Sequence, residues 1–147
     1  MKIQNEVKIS FPSRSSNEGF ARLAVSSFFT QLDPTVDEIA DIKTAVSEAV
    51  TNAIVHGYPD RLGTVQLHLK ILEDRTAYIK IRDNGCGIPD VPKAMEPLYT
   101  TAPDEDRAGL GFSVMESFMD KLKVLSRPGK GTTVILQKKI GERGKNG

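Results

Sequence analysis

Near the start of the chain Val7, Ile9 and Phe11 alternate with Lys8 and Ser10, the two-residue period of a strand with one buried face. The period then changes to that of a helix. Ser15 and Glu18 have the spacing of a capping box. Phe20, Leu23, Ala24, Ser27, Phe28 and Leu32 follow at helical intervals as the inward face, with Arg22 and Gln31 off it, until Asp33-Pro34 stops the helix. A second box, Thr35 to Glu38, opens a longer helix that turns Ile39, Ile42, Val46, Ala49, Val50, Ala53 and Ile54 inward and stops at Gly57. Two alternating runs come next, Val65 to Ile71 and Ala77 to Ile81, joined at Glu73-Asp74-Arg75 as antiparallel strands. No period holds from Asp83 to Gly111, a length of irregular chain that in a compact domain is usually a functional lid or disordered. Phe112, Met115, Phe118 and Met119 mark a short helix, and Leu122, Val124 and then Val134, Leu136 mark two last strands around Pro128-Gly129-Lys130-Gly131.

The predicted order is β-α-α-β-β-loop-α-β-β. Helices grouped against strands in this way predict an α+β fold, a two-layer α/β sandwich with a mixed, mostly antiparallel sheet. At 147 residues the chain is expected to form one domain over 1–140 with a flexible tail at 141–147. A formal net charge of +1 gives no bulk attraction to nucleic acid, so no direct nucleic-acid partner is expected. The single cysteine, Cys86, excludes an internal disulfide and a four-thiol zinc site, which points to a reducing, cytoplasmic setting. No apolar run reaches the length of a membrane span.

Three short segments carry the chemistry. Glu48 and Asn52 are four apart on the long helix, so they project from one side, roughly 40° apart around the axis. That places a carboxylate and a carboxamide where the helix leaves the core, suited to one general base and one oxygen ligand for a hard cation. Alone, such a pair is most often a solvated one. Asp83-Asn84-Gly85-Cys86-Gly87-Ile88-Pro89 directly follows a strand. Its glycines let a flat ligand approach the backbone, and Asp83 can accept from an exocyclic amine such as that of adenine. Cys86 has no basic partner or helix start beside it and reads as a small filler. Gly109-Leu110-Gly111 precedes the last helix with Arg107 ahead of it, which offers free N–H groups and a guanidinium to phosphate oxygens. The glycines do not follow a strand inside a βαβ unit, which rejects a dinucleotide fingerprint.

These pieces, taken together, resemble a known family. Glu48-Ala-Val-Thr-Asn52-Ala-Ile-Val-His-Gly57, Asp83 to Pro89, Arg107-Ala-Gly-Leu-Gly-Phe112 and Gly131-Thr-Thr-Val134 look like the N, G1 and G2 boxes and closing strand of the Bergerat-fold GHKL ATPases. More narrowly, the chain is similar to the bacterial anti-sigma factor serine kinases, including Phe-Ala-Arg in the first helix and Pro-Leu-Tyr-Thr-Thr in the lid. The resemblance implies a homodimer that inhibits a sporulation RNA polymerase sigma factor and uses ATP with Mg²⁺ to phosphorylate a serine of an anti-anti-sigma antagonist. Carried over by position, Glu48 is the general base, Asn52 the Mg²⁺ ligand and Asp83 the reader of the adenine amine. Gly85 and Gly87 shape the base pocket, Thr133 supports the adenine end, and Arg107, Gly109 and Gly111 hold the phosphates. His56 follows Asn52 by one turn and reads as a helix-end cap, and His68 as a polar-face strand residue. Two other readings compete. A detached sensor histidine kinase catalytic domain requires a phosphoacceptor helix, which is not seen before the first strand. A nucleotide-gated binder without turnover leaves Glu48 without a purpose.

Overall fold

A computed structural model describes residues 1–96 and 111–142. Five strands, β1 (Ile3–Pro12), β2 (Thr64–Leu72), β3 (Thr76–Asp83), β4 (Lys121–Arg127) and β5 (Gly131–Lys139), form one sheet in the order β1-β2-β3-β5-β4. Helices α1 (Asn17–Phe29) and α2 (Val36–Thr51), a one-turn α3 (Val91–Ala94) and a short α4 (Phe112–Phe118) complete the described elements. The two-layer α+β sandwich is as expected. All four strand pairings are antiparallel. The sheet is therefore not mixed as expected: β5 enters between β3 and β4 and pairs antiparallel with both, so no two neighbouring strands run the same way.

Alternation places the core. Val65, Leu67, Leu69 and Ile71 of β2 and Ile79 and Ile81 of β3 are buried, as are Val134 and Leu136 of β5. Against them α2 lays Ile42, Ala45, Val46, Ala49 and Val50, all 1% exposed or less, so each of these side chains contributes close to its full transfer free energy. The Thr35 box is formed, with Glu38 N donating to Thr35 Oγ1 at 3.0 Å and Thr35 N donating to Glu38 Oε1 at 2.8 Å. Lys138 ties the layers together. Its ammonium lies 3.5 Å from Asp41 Oδ2 on α2 and donates to the Phe118 carbonyl at 2.9 Å.

Helix α1 departs from its expected reading in two ways. No serine side chain caps it, because the Arg14 and Ser15 carbonyls already accept from Asn17 N and Glu18 N, and Glu18 pairs with Arg22 instead. The buried face is also shifted by one residue, to Ala21, Val25, Phe29 and Leu32, while Phe20 and Leu23 stand 51% and 64% exposed. Small Ala21 and Val25 let α1 lie close on its neighbours. Phe20 rests edge-on against Phe11 of β1 at 6.3 Å between ring centres.

Past Thr51 the long helix changes register and runs from Asn52 to Gly57 as a π turn. At the opposite end of the molecule, Arg75 occupies the β2–β3 turn at φ 70° and donates to the carbonyls of Leu32, Ile140 and Gly141. Gly141 N also donates to Glu38 Oε2 at 3.1 Å, so the chain is still anchored where the flexible tail was expected to begin. No helix among the described residues is long and apolar enough to cross a membrane.

Candidate functional site

Strand β3 delivers Asp83 to the interior. It continues the inward parity of Ile79 and Ile81, lies opposite Thr132 of β5 and is 6% exposed. Its Oδ1 accepts from Gly85 N at 2.9 Å. Burial raises the Asp83 pKa above the usual 3.8 of an aspartate, opposed by backbone hydrogen bonds from Gly85 and Thr132. The result is a strong acceptor set in an otherwise apolar wall.

That wall borders a cavity, partly open to solvent, between α2, the π turn and the sheet. Ala49, Ala53, Ile81, Ile88, Phe112 and Val134 give it flat apolar surfaces, and Asn52, His56, Asp83 and Thr132 supply polar atoms. Few polar groups in an apolar cleft is the composition that orients a heteroaromatic ring. A flat base with an exocyclic amine, such as adenine, suits this lining, because the Asp83 carboxylate offers an acceptor at its wall.

The loop after Asp83 hangs from both sides of the cavity. Cys86 N donates to the Gly57 carbonyl at 2.9 Å and Cys86 Sγ to the His56 carbonyl at 2.9 Å. On the other side Gly129 N donates to the Cys86 carbonyl at 2.7 Å, and Ile88 N to Ser126 Oγ at 2.8 Å. Tyr58, buried beneath, accepts from Asn84 N at 2.7 Å and donates to the Thr64 carbonyl at 2.8 Å. The glycines are required by this closeness. A Cβ on Gly85 would stand 1.9 Å from the Gly57 carbonyl oxygen, and one on Gly87, whose φ is +77°, would stand 2.0 Å from that of Arg127. Gly87 lines the cavity, whereas Gly85 shapes it from behind through the contact with Gly57.

Glu48 and Asn52 divide between two spaces. Asn52 lines the cavity. Glu48, one turn earlier, lines an open cleft on the other side with Arg22, Lys43, Thr44 and Ser47. Gly111, at φ +68° before α4, lies directly against the Glu48 carboxylate. For a divalent cation, the Asn52 carboxamide supplies a hard oxygen donor within the cavity. No group of three or more His, Cys, Asp or Glu suited to a metal occurs among the described residues. This donor set fits Mg²⁺, which keeps several waters and takes few protein ligands beside substrate phosphates.

Of the residues singled out from sequence, Asn52, Asp83 and Gly87 come together at one cavity with Gly85 behind its loop, while Glu48 and Gly111 meet each other at the neighbouring cleft. Thr133 does not belong. It pairs with Arg82 and Leu125 on the open face of the sheet, and Thr132 takes the place assigned to it. Parity against buried Val134 marks the difference, since residues two apart on a strand share a face. His56, in the last turn of the π segment, also lines the cavity, which its reading as a helix-end cap does not anticipate. Arg107 and Gly109 lie outside the described residues, as does the 97–110 part of the irregular segment expected from Asp83 to Gly111.

Residues 11–138 match the model of the histidine kinase-like ATPase domain. An anti-sigma F factor of Clostridium acetobutylicum is 53% identical over 138 residues, 94% of this chain and 96% of the relative. One from Caldanaerobacter subterraneus subsp. tengcongensis is 53% identical over 141 residues, 96% of this chain and 98% of the relative. Among solved structures, the RsbU and RsbW domains of Rv1364c from Mycobacterium tuberculosis superpose with a TM-score of 0.69 at 18% identity. That match covers 93% of this chain and 33% of the other, and it speaks to the fold.

Proposed function

The chain belongs to the family of histidine kinase-like ATPase domains, and on that premise we propose that it is an anti-sigma factor and a protein serine kinase. It holds an RNA polymerase sigma factor of the sporulation class inactive. It also phosphorylates a serine of that factor's anti-anti-sigma antagonist, with ATP as donor, acting as a homodimer in the cytoplasm. Relatives similar over nearly the whole chain carry the anti-sigma F name, which supports the sigma-factor half of the reading.

The chain's own residues suit the phosphoryl transfer. The apolar walls and Asp83 hold the base, and the alternation of β5 brings Thr132 beside it. Asn52 holds Mg²⁺ through its carboxamide oxygen, and the ion supplies charge neutralisation on the phosphates. Arg107, Gly109 and Gly111 hold phosphate oxygens. In the transfer the substrate serine Oγ bonds to the γ-phosphorus, the bond to the ADP oxygen breaks, and Glu48 accepts the serine proton.

The observation that carries this reading is the position of Glu48. It touches Gly111 at the start of α4 and faces the cleft formed with Arg22, Lys43, Thr44 and Ser47, which is open to a protein side chain. A base at such a boundary can meet a serine arriving from one side and a phosphate from the other. The test is incubation of the protein with γ-labelled ATP, Mg²⁺ and the anti-anti-sigma protein, followed by mapping of the label. Phosphoserine on the antagonist is expected. Label on histidine, or none, would overturn the kinase half of the proposal.

A further inference from the structure

Gly57 ends the π turn with its Cα facing the carboxylate that reads the base. A Cβ built there would stand 3.0 Å from Asp83 Cγ, and 3.0 and 3.1 Å from its two oxygens. Contacts that short force one partner to give way by a few tenths of an ångström. Asp83 has little room to do so. Its Oδ1 is bound to Gly85 N at 2.9 Å, and a Cβ on Gly131 would stand 2.1 Å from its main-chain oxygen. Gly57 cannot retreat either, because its carbonyl accepts from Cys86 N at 2.9 Å and lies against Gly85.

From this arrangement we infer that Gly57 is a specificity-determining residue: it keeps the space beside Asp83 clear of side chains, so that the carboxylate aligns with the exocyclic amine of adenine. The inference rests on the assignment of the cavity to ATP. The π turn is part of the device, since its wider register brings the His56 and Gly57 carbonyls to the Cys86 thiol and amide. Gly57 therefore sets the position of the base reader while Asp83 makes the contact. It is a positioning residue. Gly57 lines the cavity beside Asp83, so a methyl group there displaces and further desolvates the carboxylate. Beyond any loss common to all ligands, those that carry the amine should lose more.

The test compares ATP with purine riboside triphosphate, which lacks only the exocyclic amine, on wild type and Gly57→Ala. Wild type is expected to prefer ATP by about 10- to 100-fold, the range of one charge-assisted hydrogen bond. Gly57→Ala should cut that preference to within about threefold, a ratio that any loss common to both ligands leaves unchanged. A wild type that binds both equally removes Asp83 as the base reader and takes this inference with it. Retention of full preference by Gly57→Ala overturns Gly57 alone. If Gly57→Ala does not fold, the pair Asp83→Ser and Asp83→Ser/Gly57→Ala decides. Equal melting temperatures of the two show that the carboxylate was the obstacle, and unfolding of the double variant alone assigns Gly57 to the backbone and overturns the inference.

Discussion

A Cβ on Gly111 would stand 2.4 Å from Glu48 Oε1, so the residue that opens α4 and the proposed base share a single van der Waals contact surface. No side chain can be added at 111 without moving the carboxylate. Because Gly111 also sits at φ +68°, Gly111→Ala carries a backbone cost of about 1–2 kcal/mol as well. Phosphoryl transfer to the antagonist should fall by about 100-fold or more, the range seen when a general base is lost or misplaced. Single-turnover transfer measured beside a thermal melt checks this. A wild-type rate in a folded variant would show that Glu48 does not act from this position.

Glu48→Gln separates base from ligand. The substitution keeps size and helix fit and removes the basic group, so the rate should drop by about 10²–10⁴. The cavity is lined by Asn52 and Asp83 and not by Glu48, so ATP affinity should change by well under tenfold. The variant should therefore remain an inhibitor of its sigma factor that the antagonist cannot escape through phosphorylation. Rapid-quench transfer and nucleotide titration on one preparation measure both. Loss of ATP binding would reassign Glu48 to holding the ligand.

Asp83 makes stability and binding respond oppositely to acid. Its folded pKa is raised by burial, so the folded state holds the proton more tightly than the unfolded chain. That contribution to stability is complete below 3.8 and is lost as pH rises through the raised folded value. ATP binding needs the ionised acceptor and weakens as pH falls through the same value. Asp83→Asn should abolish both trends and cost about 1.5–3 kcal/mol of ATP affinity at neutral pH. Urea melts and ATP titrations over about pH 4 to 7 resolve the two slopes, and a pH-independent wild-type affinity would contradict the assignment.

The neighbouring threonines of β5 give a test of register. Thr132 faces the cavity and Thr133 faces the open side of the sheet opposite Arg82. Thr132→Val should weaken ATP by about 0.5–1.5 kcal/mol, the net worth of one hydrogen bond, and Thr133→Val should leave it unchanged. Calorimetric titration of the two single variants decides between them, and the reverse pattern would restore the residue chosen from sequence.

Where periodicity is strong, the chain could be read before the structure was seen. The alternation of β2 and β3 and the Thr35 box are realised residue for residue, because each rests on local geometry that no distant contact competes with. Helix α1 was misphased because it has apolar residues on two faces. Choosing Ala21 and Val25 over Phe20 and Leu23 depends on how closely α1 can approach its neighbours, which is a tertiary property. The π turn from Asn52 to Gly57 leaves no compositional mark, and with it went the placement of His56 in the cavity. Asp83 and its glycines were legible because backbone approach this close permits no other residue. The exchange of Thr133 for Thr132 is a parity error that the position of Val134 could have corrected.

The position of β5 between β3 and β4 bears on how the protein is made. Two walls of the base cavity, Thr132 and Val134, belong to β5, the last of the five strands to be synthesised. A nascent chain that has emerged only as far as β4 has Asp83 on an unpaired strand edge, exposed to water, and has no site for the nucleotide. Pairing of β5 and creation of the pocket are the same event, so any truncation before Gly131 removes a cavity wall and the β3–β5 pairing together.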